Sequence, residues 1–142
     1  MKENTLPIHD LFIRKLDTLD EDGQIRMPIL SFEHHLLRRF GFAESILVKP
    51  EYRTKMKVRE VADEIWASLS GKVRFHWWDL RSGSPSHENR YEIFIEEPHL
   101  VLVPFGVAFG VQTYDEPVHL IRFSTHPEDI HDGDHVVPWE MD

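Results

Sequence analysis

Two stretches in the second half of the chain decide its fold: WWDLRSGSPS at residues 77–86 and VPFGVAFGV at residues 103–111. Both contain aromatic and β-branched residues, which are enriched in strands, beside the small residues that form turns. The SGSP sequence at 82–85 predicts one turn, and PFG at 104–106 predicts a second, tighter one. Together the two stretches predict strand, turn, strand, tight turn and strand.

The same pattern continues on both sides of these stretches. The run at 100–103 is entirely apolar, which fits a strand that is buried on both faces. Short strands at a spacing of roughly 8–12 residues are typical of an all-β sandwich or barrel. We predict them at residues 45–48, 73–80, 91–95, 100–103, 107–113 and 118–123.

The first half of the chain gives a more mixed pattern. Residues 11–19 predict a strand, and DEDG at 20–23 predicts a turn into a short extended piece. Ser31 is a good helix N-cap, and apolar residues at helical spacing follow it up to Gly41, which predicts a short amphipathic helix. Residues 58–71 fit two structures. Their apolar spacing favours a helix, whereas EIWASLS followed by GKV also fits a strand, a Ser-Gly turn and a strand.

Composition limits the class of protein. A chain of 142 residues is one domain, with a strand-rich core at about 45–125 and a polar tail at 126–142 in which only Trp139 is expected to dock. Sixteen Lys and Arg against 25 Asp and Glu give a net charge of -9, which argues against a nucleic-acid partner. The chain has no cysteine for disulfide or thiolate chemistry. No apolar run suits a signal peptide or a membrane span, so we expect a cytoplasmic protein without a membrane partner.

Several motifs stand out along the chain: DEDG at 20–23, SGKV at 70–73, DLR and SPS within 79–86, PFGVAFG at 104–110, and PE and VPW within 127–139. Together they resemble the dTDP-4-dehydrorhamnose 3,5-epimerase family, a branch of the cupins. The resemblance covers most of the chain and is strongest at residues 64–111. It implies an all-β cupin fold (a double-stranded β-helix or jelly-roll barrel) over residues 1–142, here with the short helix near the N-terminus. It also implies a strand at 64–70 and a homodimer.

The resemblance also implies a reaction whose residues this chain does not carry. Enzymes of that family remove a proton beside a keto group with a histidine base, a tyrosine acid and a lysine that stabilises the enolate. One positioned acid or base contributes about 10²–10⁴-fold in rate. Here the lysine position holds Glu64, the tyrosine position holds Ile121, and no histidine lies between His35 and His76 to serve as the base.

Metal-binding cupins imply a different set of residues. Their three histidine positions correspond to Val58, Glu60 and Phe109, and their glutamate corresponds to Glu64. One matching ligand of four is too few for a transition-metal site. The spacing of the histidines in the C-terminal tail matches no zinc motif. We therefore expect no metal and no other cofactor.

A run of cations stands out in this acidic chain. In an extended segment, a period of two would place Arg53, Lys55, Lys57 and Arg59 on one face. Two interpretations remain open: an edge strand that is protected by charge, or a contact with an anion such as a sugar-nucleotide diphosphate. The resemblance adds that Arg59 matches a phosphate-binding arginine of the family, whereas Asp22 replaces another.

Strand alternation, counted from the positions that the resemblance assigns, predicts the side chains inside the barrel. This interior fits both a sugar site and a filled core, and the sequence does not distinguish them. We predict ligand contacts at Arg59, Trp66, Trp77, Asp79 and Phe109. Glu64 and His119 are the remaining acid–base candidates, because burial of Glu64 among aromatic rings would favour its protonated form and suit it to proton transfer. The predicted inward set is Glu64, Trp66, Ser68, Phe75, Trp77, Asp79, Phe109, Val111, His119, Ile121 and Phe123.

Three functions follow from the sequence. The family resemblance favours a divergent sugar-nucleotide epimerase or isomerase that acts on a dTDP-4-keto-6-deoxyhexose. The residues favour a cupin that binds a carbohydrate or nucleotide sugar without turnover. A structural subunit with a filled barrel is the third.

Overall fold

The computed structural model describes residues 7–31 and 34–139. Almost all of their regular structure is strand, as the sequence predicts. The twelve strands of this described part are β1 (Ile13–Lys15), β2 (Leu19–Glu21), β3 (Gln24–Arg26), β4 (Phe42–Val48), β5 (Met56–Val58), β6 (Glu64–Ser70), β7 (Val73–Asp79), β8 (Arg90–Ile95), β9 (His99–Val103), β10 (Val107–Thr113), β11 (Val118–Ser124) and β12 (His135–Val137).

Ten of these strands form two antiparallel five-stranded sheets. The first sheet has the order β1-β9-β6-β11-β4, and the second has the order β12-β5-β10-β7-β8. The remaining hairpin, β2-β3, stands apart from both sheets. Strands that are neighbours in a sheet are often distant in sequence, which is the arrangement of a jelly roll. The predicted cupin architecture is confirmed.

The main core lies between the two sheets. Phe75, Trp77 and Val111 of the second sheet pack with Val101 and Leu120 of the first. All five side chains are almost completely removed from water, and such burial is worth about 1.5–3 kcal/mol for each large apolar side chain. The inward faces of the two sheets therefore hold the barrel together.

A smaller apolar cluster covers the outer face of each sheet. Ile65, Ala67 and Leu100 of the first sheet lie beneath the N-terminal segment, including Leu16. Met56, Val58, Trp78 and Ala108 of the second sheet lie beneath Val137 and Trp139 of the C-terminal segment. Strands β6 and β10 are thus buried on both faces, which explains why their sequences are so apolar.

Two tight turns depend on glycine. Gly71 occupies the two-residue connection between β6 and β7 with a φ of 90°. Gly106 precedes β10 with a φ of 83°, and a Cβ there would lie 2.5 Å from Arg81 Cγ. Glycine adopts this left-handed conformation without the steric cost that other residues incur. The turn signals at Ser70-Gly71 and at 104–106 therefore correspond to real constraints on the backbone.

The predicted helix near the N-terminus is the clear error in the fold prediction. Of the predicted segment, Phe32 and Glu33 lie outside the described residues, and a single 3₁₀ turn occurs at His34. Residues 35–41 contain no helix, and His35 has a φ of 55°, which an α-helix cannot accommodate. Leu36 and Leu37 instead pack against the outer face of the first sheet. Their spacing reflects burial of an irregular segment.

Candidate functional site

One part of the barrel interior is open and forms a cavity of about 210 Å³. Strands β4, β5, β6, β10 and β11 supply most of its wall, and the segment that follows β11 supplies one residue. The barrel is therefore not completely filled. The lining residues are Glu44, Ile46, Thr54, Lys55, Lys57, Arg59, Glu64, Trp66, Phe109, Val111, Arg122 and Asp129.

An aromatic cluster forms the apolar wall of this cavity. The ring of Phe109 lies 5.2 Å from that of Trp66 and 5.5 Å from those of Phe75 and Trp77. Trp66 and Phe109 line the cavity, whereas Phe75 and Trp77 are fully buried behind them. The indole N–H of Trp77 donates a hydrogen bond to the Leu102 carbonyl at 3.2 Å, so its polar edge is also satisfied within the core.

Glu64 lies in the cavity wall between two arginines. Its Oε2 is 2.9 Å from Arg59 Nε and 2.7 Å from Arg122 Nη1. Its Oε1 accepts a hydrogen bond from Trp66 Nε1 at 2.9 Å. Glu64 is thus buried, and it contacts two guanidinium groups in addition to the indole of Trp66. Burial of all three charged side chains is possible because each has a partner of opposite charge.

The C-terminal segment adds two further carboxylates to this charge cluster. Asp129 Oδ1 accepts a hydrogen bond from Arg122 Nη2 at 2.6 Å, which contributes most to holding the pKa of Asp129 below its usual range. Burial would raise the pKa of Asp134, but hydrogen bonds from the backbone amides of Glu60 and His131 and the charge of Arg59 lower it. Both carboxylates are therefore ionised at neutral pH.

Three of the four alternating cations reach the cavity. Lys55, Lys57 and Arg59 line it, and the two lysines are exposed at its edge. Arg53 instead lies over the ring of Trp139, with 4.8 Å from its Cζ to the ring centre. The predicted common face therefore extends over three cations only, because the chain between Arg53 and β5 is not a regular strand.

Asp79 is buried away from the cavity and organises the loop that follows β7. Its carboxylate accepts hydrogen bonds from Arg81 Nε at 2.9 Å, Ser84 Oγ at 2.7 Å and Ser86 Oγ at 2.6 Å. Burial would raise the pKa of Asp79, but hydrogen bonds from Arg81, Ser86 and Ser84 outweigh it and hold the pKa far below its usual range. The structure thus places this predicted ligand contact in a structural network.

The predicted inward orientation of β11 is wrong by one residue. His119 is exposed and bonds Ser45 Oγ through its Nε2 at 2.6 Å, whereas Leu120 and Arg122 are buried. Side chains of a strand alternate between its faces, so an offset of one residue reverses the orientation of all of them. The two acid–base candidates, Glu64 and His119, are therefore not brought together.

Arg122 is the principal residue of the site that the sequence-based prediction missed. The sequence VHLIRFS fits two orientations of β11. One places Val118, Leu120 and Arg122 inward, and the other places the intervening residues inward. Each choice puts two apolar side chains inside, but only the first also buries the charge of Arg122. The structure makes the first choice because Glu64 of the neighbouring strand neutralises Arg122.

Among the described residues, no group of three or more His, Asp and Glu side chains is arranged to hold a metal ion. A helix long and apolar enough to cross a membrane is likewise not found in residues 7–31 and 34–139.

Solved structures show where this arrangement of strands occurs. A dTDP sugar isomerase from Desulfovibrio desulfuricans G20 superposes with a TM-score of 0.83 over 96% of this chain and 88% of its own, at 18% identity. A dTDP-4-dehydrorhamnose 3,5-epimerase from Elizabethkingia anophelis NUHP1 superposes with a TM-score of 0.81 over 98% and 81%, at 16% identity. The chain has the fold of the dTDP-sugar epimerases.

A third structure with this fold contains a ligand. The dTDP-6-deoxy-D-glucose-3,5-epimerase of Legionella pneumophila Philadelphia 1, in complex with dTDP-4-keto-L-rhamnose, superposes with a TM-score of 0.80 over 93% of this chain and 74% of its own, at 15% identity. Neither a protein-family model nor a curated protein matches this sequence. The epimerase-like cupin fold is therefore shared, at sequence identities that establish architecture alone.

Proposed function

We propose that the cavity binds a nucleotide-linked keto-deoxy sugar without carrying out the epimerase reaction. The observation that carries this proposal is a cavity with aromatic walls and a cationic edge in a chain of net charge -9. Trp66 and Phe109 offer an apolar surface to a hexose ring, while Lys55 and Lys57 offer charge to a diphosphate. A dTDP sugar isomerase and two dTDP-sugar epimerases of the same fold support this ligand class.

The size of the cavity restricts how such a ligand would lie. Its volume of about 210 Å³ is smaller than the roughly 300–1,000 Å³ of pockets that enclose a drug-sized molecule. A single sugar ring is the part of the ligand that suits this volume. The diphosphate and the nucleoside would then lie at the edge, where Lys55 and Lys57 are exposed and have no ion pair among the described residues.

The proposed lack of turnover rests on the residues around the cavity. Its described lining contains no histidine and no tyrosine. Glu64 is the one nearly buried carboxylate there, and its two oxygens already face two guanidinium groups and an indole N–H. A general base needs a free oxygen to accept a proton from the substrate, and both oxygens of Glu64 already contact donors of the protein.

A binding measurement tests this proposal. We expect dTDP and a dTDP-4-keto-6-deoxyhexose to raise the melting temperature, because a ligand at 100 times its dissociation constant stabilises the folded state by about 2.7 kcal/mol. Lys57→Gln should weaken binding of both compounds about tenfold. Lys72→Gln removes the same charge outside the cavity lining and should leave both affinities unchanged. Binding of neither compound, or equal loss in both variants, would contradict the proposal.

A divergent epimerase is the second candidate, favoured by the fold that the chain shares with epimerases and isomerases. Glu64 would then be its acid or base, and unchanged activity in Glu64→Gln would exclude that role. The homodimer and the cytoplasmic location that the sequence predicts remain part of the proposal. A monomer in light scattering would count against a close functional relationship with that family.

A further inference from the structure

The chain places one of its own carboxylates at the cationic part of the cavity. Residues 125–134 connect β11 to β12 without regular secondary structure, and residues 126–134 of this connection are here called the strap. Within the strap, Asp129 lines the cavity, and its Oδ1 lies 2.6 Å from Arg122 Nη2 and 3.8 Å from Arg59 Nη2. One carboxylate oxygen thus lies between two buried guanidinium groups.

A second cavity adjoins the first one at the strap. This neighbouring cavity of about 140 Å³ is lined by Ile130 of the strap and by His135 and Val136 just beyond it. Lys57 and Arg59 line both cavities. Asp129 of the strap lines the first cavity, and the next residue, Ile130, lines the second. Movement of these two residues would join the two cavities into one groove with cations along it.

The contacts that hold the strap in place are mainly polar. Arg59 Nη1 donates to the Asp129 carbonyl at 2.8 Å and lies 3.5 Å from Asp134 Oδ2. The Glu60 amide donates to Asp134 Oδ1 at 2.8 Å. Ile130 remains 71% exposed and contributes no packing to the core. Polar contacts of this kind can be exchanged for similar contacts with a ligand at little net cost.

Asp129 is also more accessible to solvent than Glu64, which is the other carboxylate that contacts both Arg59 and Arg122. Its side chain is 63% exposed, whereas that of Glu64 is 5% exposed. Guanidinium groups bind carboxylates and phosphates with the same planar geometry. A phosphoryl group can therefore replace the Asp129 carboxylate without any change in the arginines, while replacement of Glu64 would require the barrel to open.

We propose that Asp129 occupies, as an internal competitor, an anion subsite formed by Arg59 and Arg122, and that a phosphoryl group of the ligand displaces it together with the strap. This inference deepens the nucleotide-sugar binding proposed above and rests on it for the natural ligand. Wild-type affinity for a diphosphate is then lowered by the competition, and binding converts the two cavities into one groove.

Calorimetric titration with inorganic pyrophosphate tests the proposal on the full chain. We expect Asp129→Asn to bind pyrophosphate about tenfold more tightly than the wild type, because it removes the competing negative charge. Asp132→Asn is the matched control, since it removes the same charge from an exposed part of the strap that has no ion pair with the described residues. Equal affinities in the two variants, or no binding to either, would overturn the proposal.

Amide hydrogen exchange supplies a second readout that needs no substitution. Pyrophosphate should speed exchange at Glu60 and Asp134 in the wild type, because their amides donate within the strap contacts at 2.8 and 3.0 Å. Unchanged or slower exchange in the saturated protein would contradict displacement, even if Asp129→Asn does not fold.

The two proposals fail in different ways. Tighter pyrophosphate binding in Asp129→Asn, without binding of any dTDP-sugar, would leave the strap inference standing and reject the proposed function. Equal dTDP-sugar binding in the wild type and Asp129→Asn, with no tightening for pyrophosphate, would support the proposed function and reject the strap inference.

Discussion

Glu64 and Arg122 form an ion pair inside the barrel, with 2.7 Å between Glu64 Oε2 and Arg122 Nη1. The two residues lie on adjacent strands, where Arg122 is opposite Trp66 and Glu64 is opposite Ser124, so they are diagonal neighbours on one face. Both are at least 97% buried. A buried pair of this kind seldom adds net stability, because desolvation offsets the attraction.

Removal of one partner should nevertheless be costly. We expect Glu64→Gln to lower the free energy of unfolding by about 3–5 kcal/mol, because it removes the more buried of the two carboxylates that Arg59 and Arg122 share. Urea denaturation measures this loss. Combined replacement by Glu64→Leu and Arg122→Met should recover much of it. Glu44 also pairs with Arg122, and its side chain is 44% exposed. Glu44→Gln should therefore lower the free energy of unfolding by less than about 1 kcal/mol.

The carboxylate of Asp79 should make stability depend on pH in the acid range. Its pKa is lower in the folded chain than in the unfolded chain, so its contribution is complete above the unfolded value of about 3.9. The contribution is then lost as the pH falls towards the folded value. We expect Asp79→Asn to destabilise the chain at pH 7 and the difference from the wild type to shrink below about pH 4.

Denaturant unfolding at pH 7 and at several lower values gives this difference directly. Asp115→Asn is a suitable control, because that carboxylate is exposed and has no ion pair among the described residues. A constant difference between Asp79→Asn and the wild type from pH 7 down to pH 3 would contradict the assignment.

Gly110 permits the close approach of Trp139 to β10. A Cβ at this position would lie 2.6 Å from Trp139 Cζ2 and 2.7 Å from Met56 Sδ. We expect Gly110→Ala to displace the indole, which now donates to the Thr54 carbonyl at 2.6 Å, and to cost about 1–3 kcal/mol in urea denaturation. Gly83→Ala is the control, since a Cβ there has no heavy atom within 4 Å. Equal stability of the two variants would show that Trp139 is not held in this way.

The sequence was sufficient for the strands of the barrel and for part of its interior. Strand β7 ends at Asp79 and β10 begins at Val107, close to the predicted limits, because turn residues and β-formers mark both positions. Glu64, Trp66 and Phe109 were predicted to face inward, and all three line the cavity. Docking of Trp139 was also predicted and is confirmed by its contacts.

The missed features depend on contacts between distant parts of the chain. The left-handed backbone of His35 has no clear sequence signal, and packing against the first sheet replaces the predicted helix. Arg122 could be placed inward only once its partner Glu64, 58 residues earlier, was known. Contact of Arg59 with Asp129 spans 70 residues. A single sequence does not show which of its charged residues form ion pairs in the folded structure.

Solvent deuterium exchange tests most directly the claim that the cavity binds a keto-deoxy sugar without proton transfer. A dTDP-4-keto-6-deoxyhexose is followed by proton NMR in D₂O with the wild type, Glu64→Gln and His119→Ala, the last being an exposed change outside the cavity lining. We predict that the hexose signals broaden with the wild type and with His119→Ala, which would show that both bind the sugar. We also predict that the signals of the carbon-bound protons beside the keto group keep the intensity that they have in protein-free samples. Loss of those protons with the wild type but not with Glu64→Gln would contradict the claim and identify a divergent epimerase.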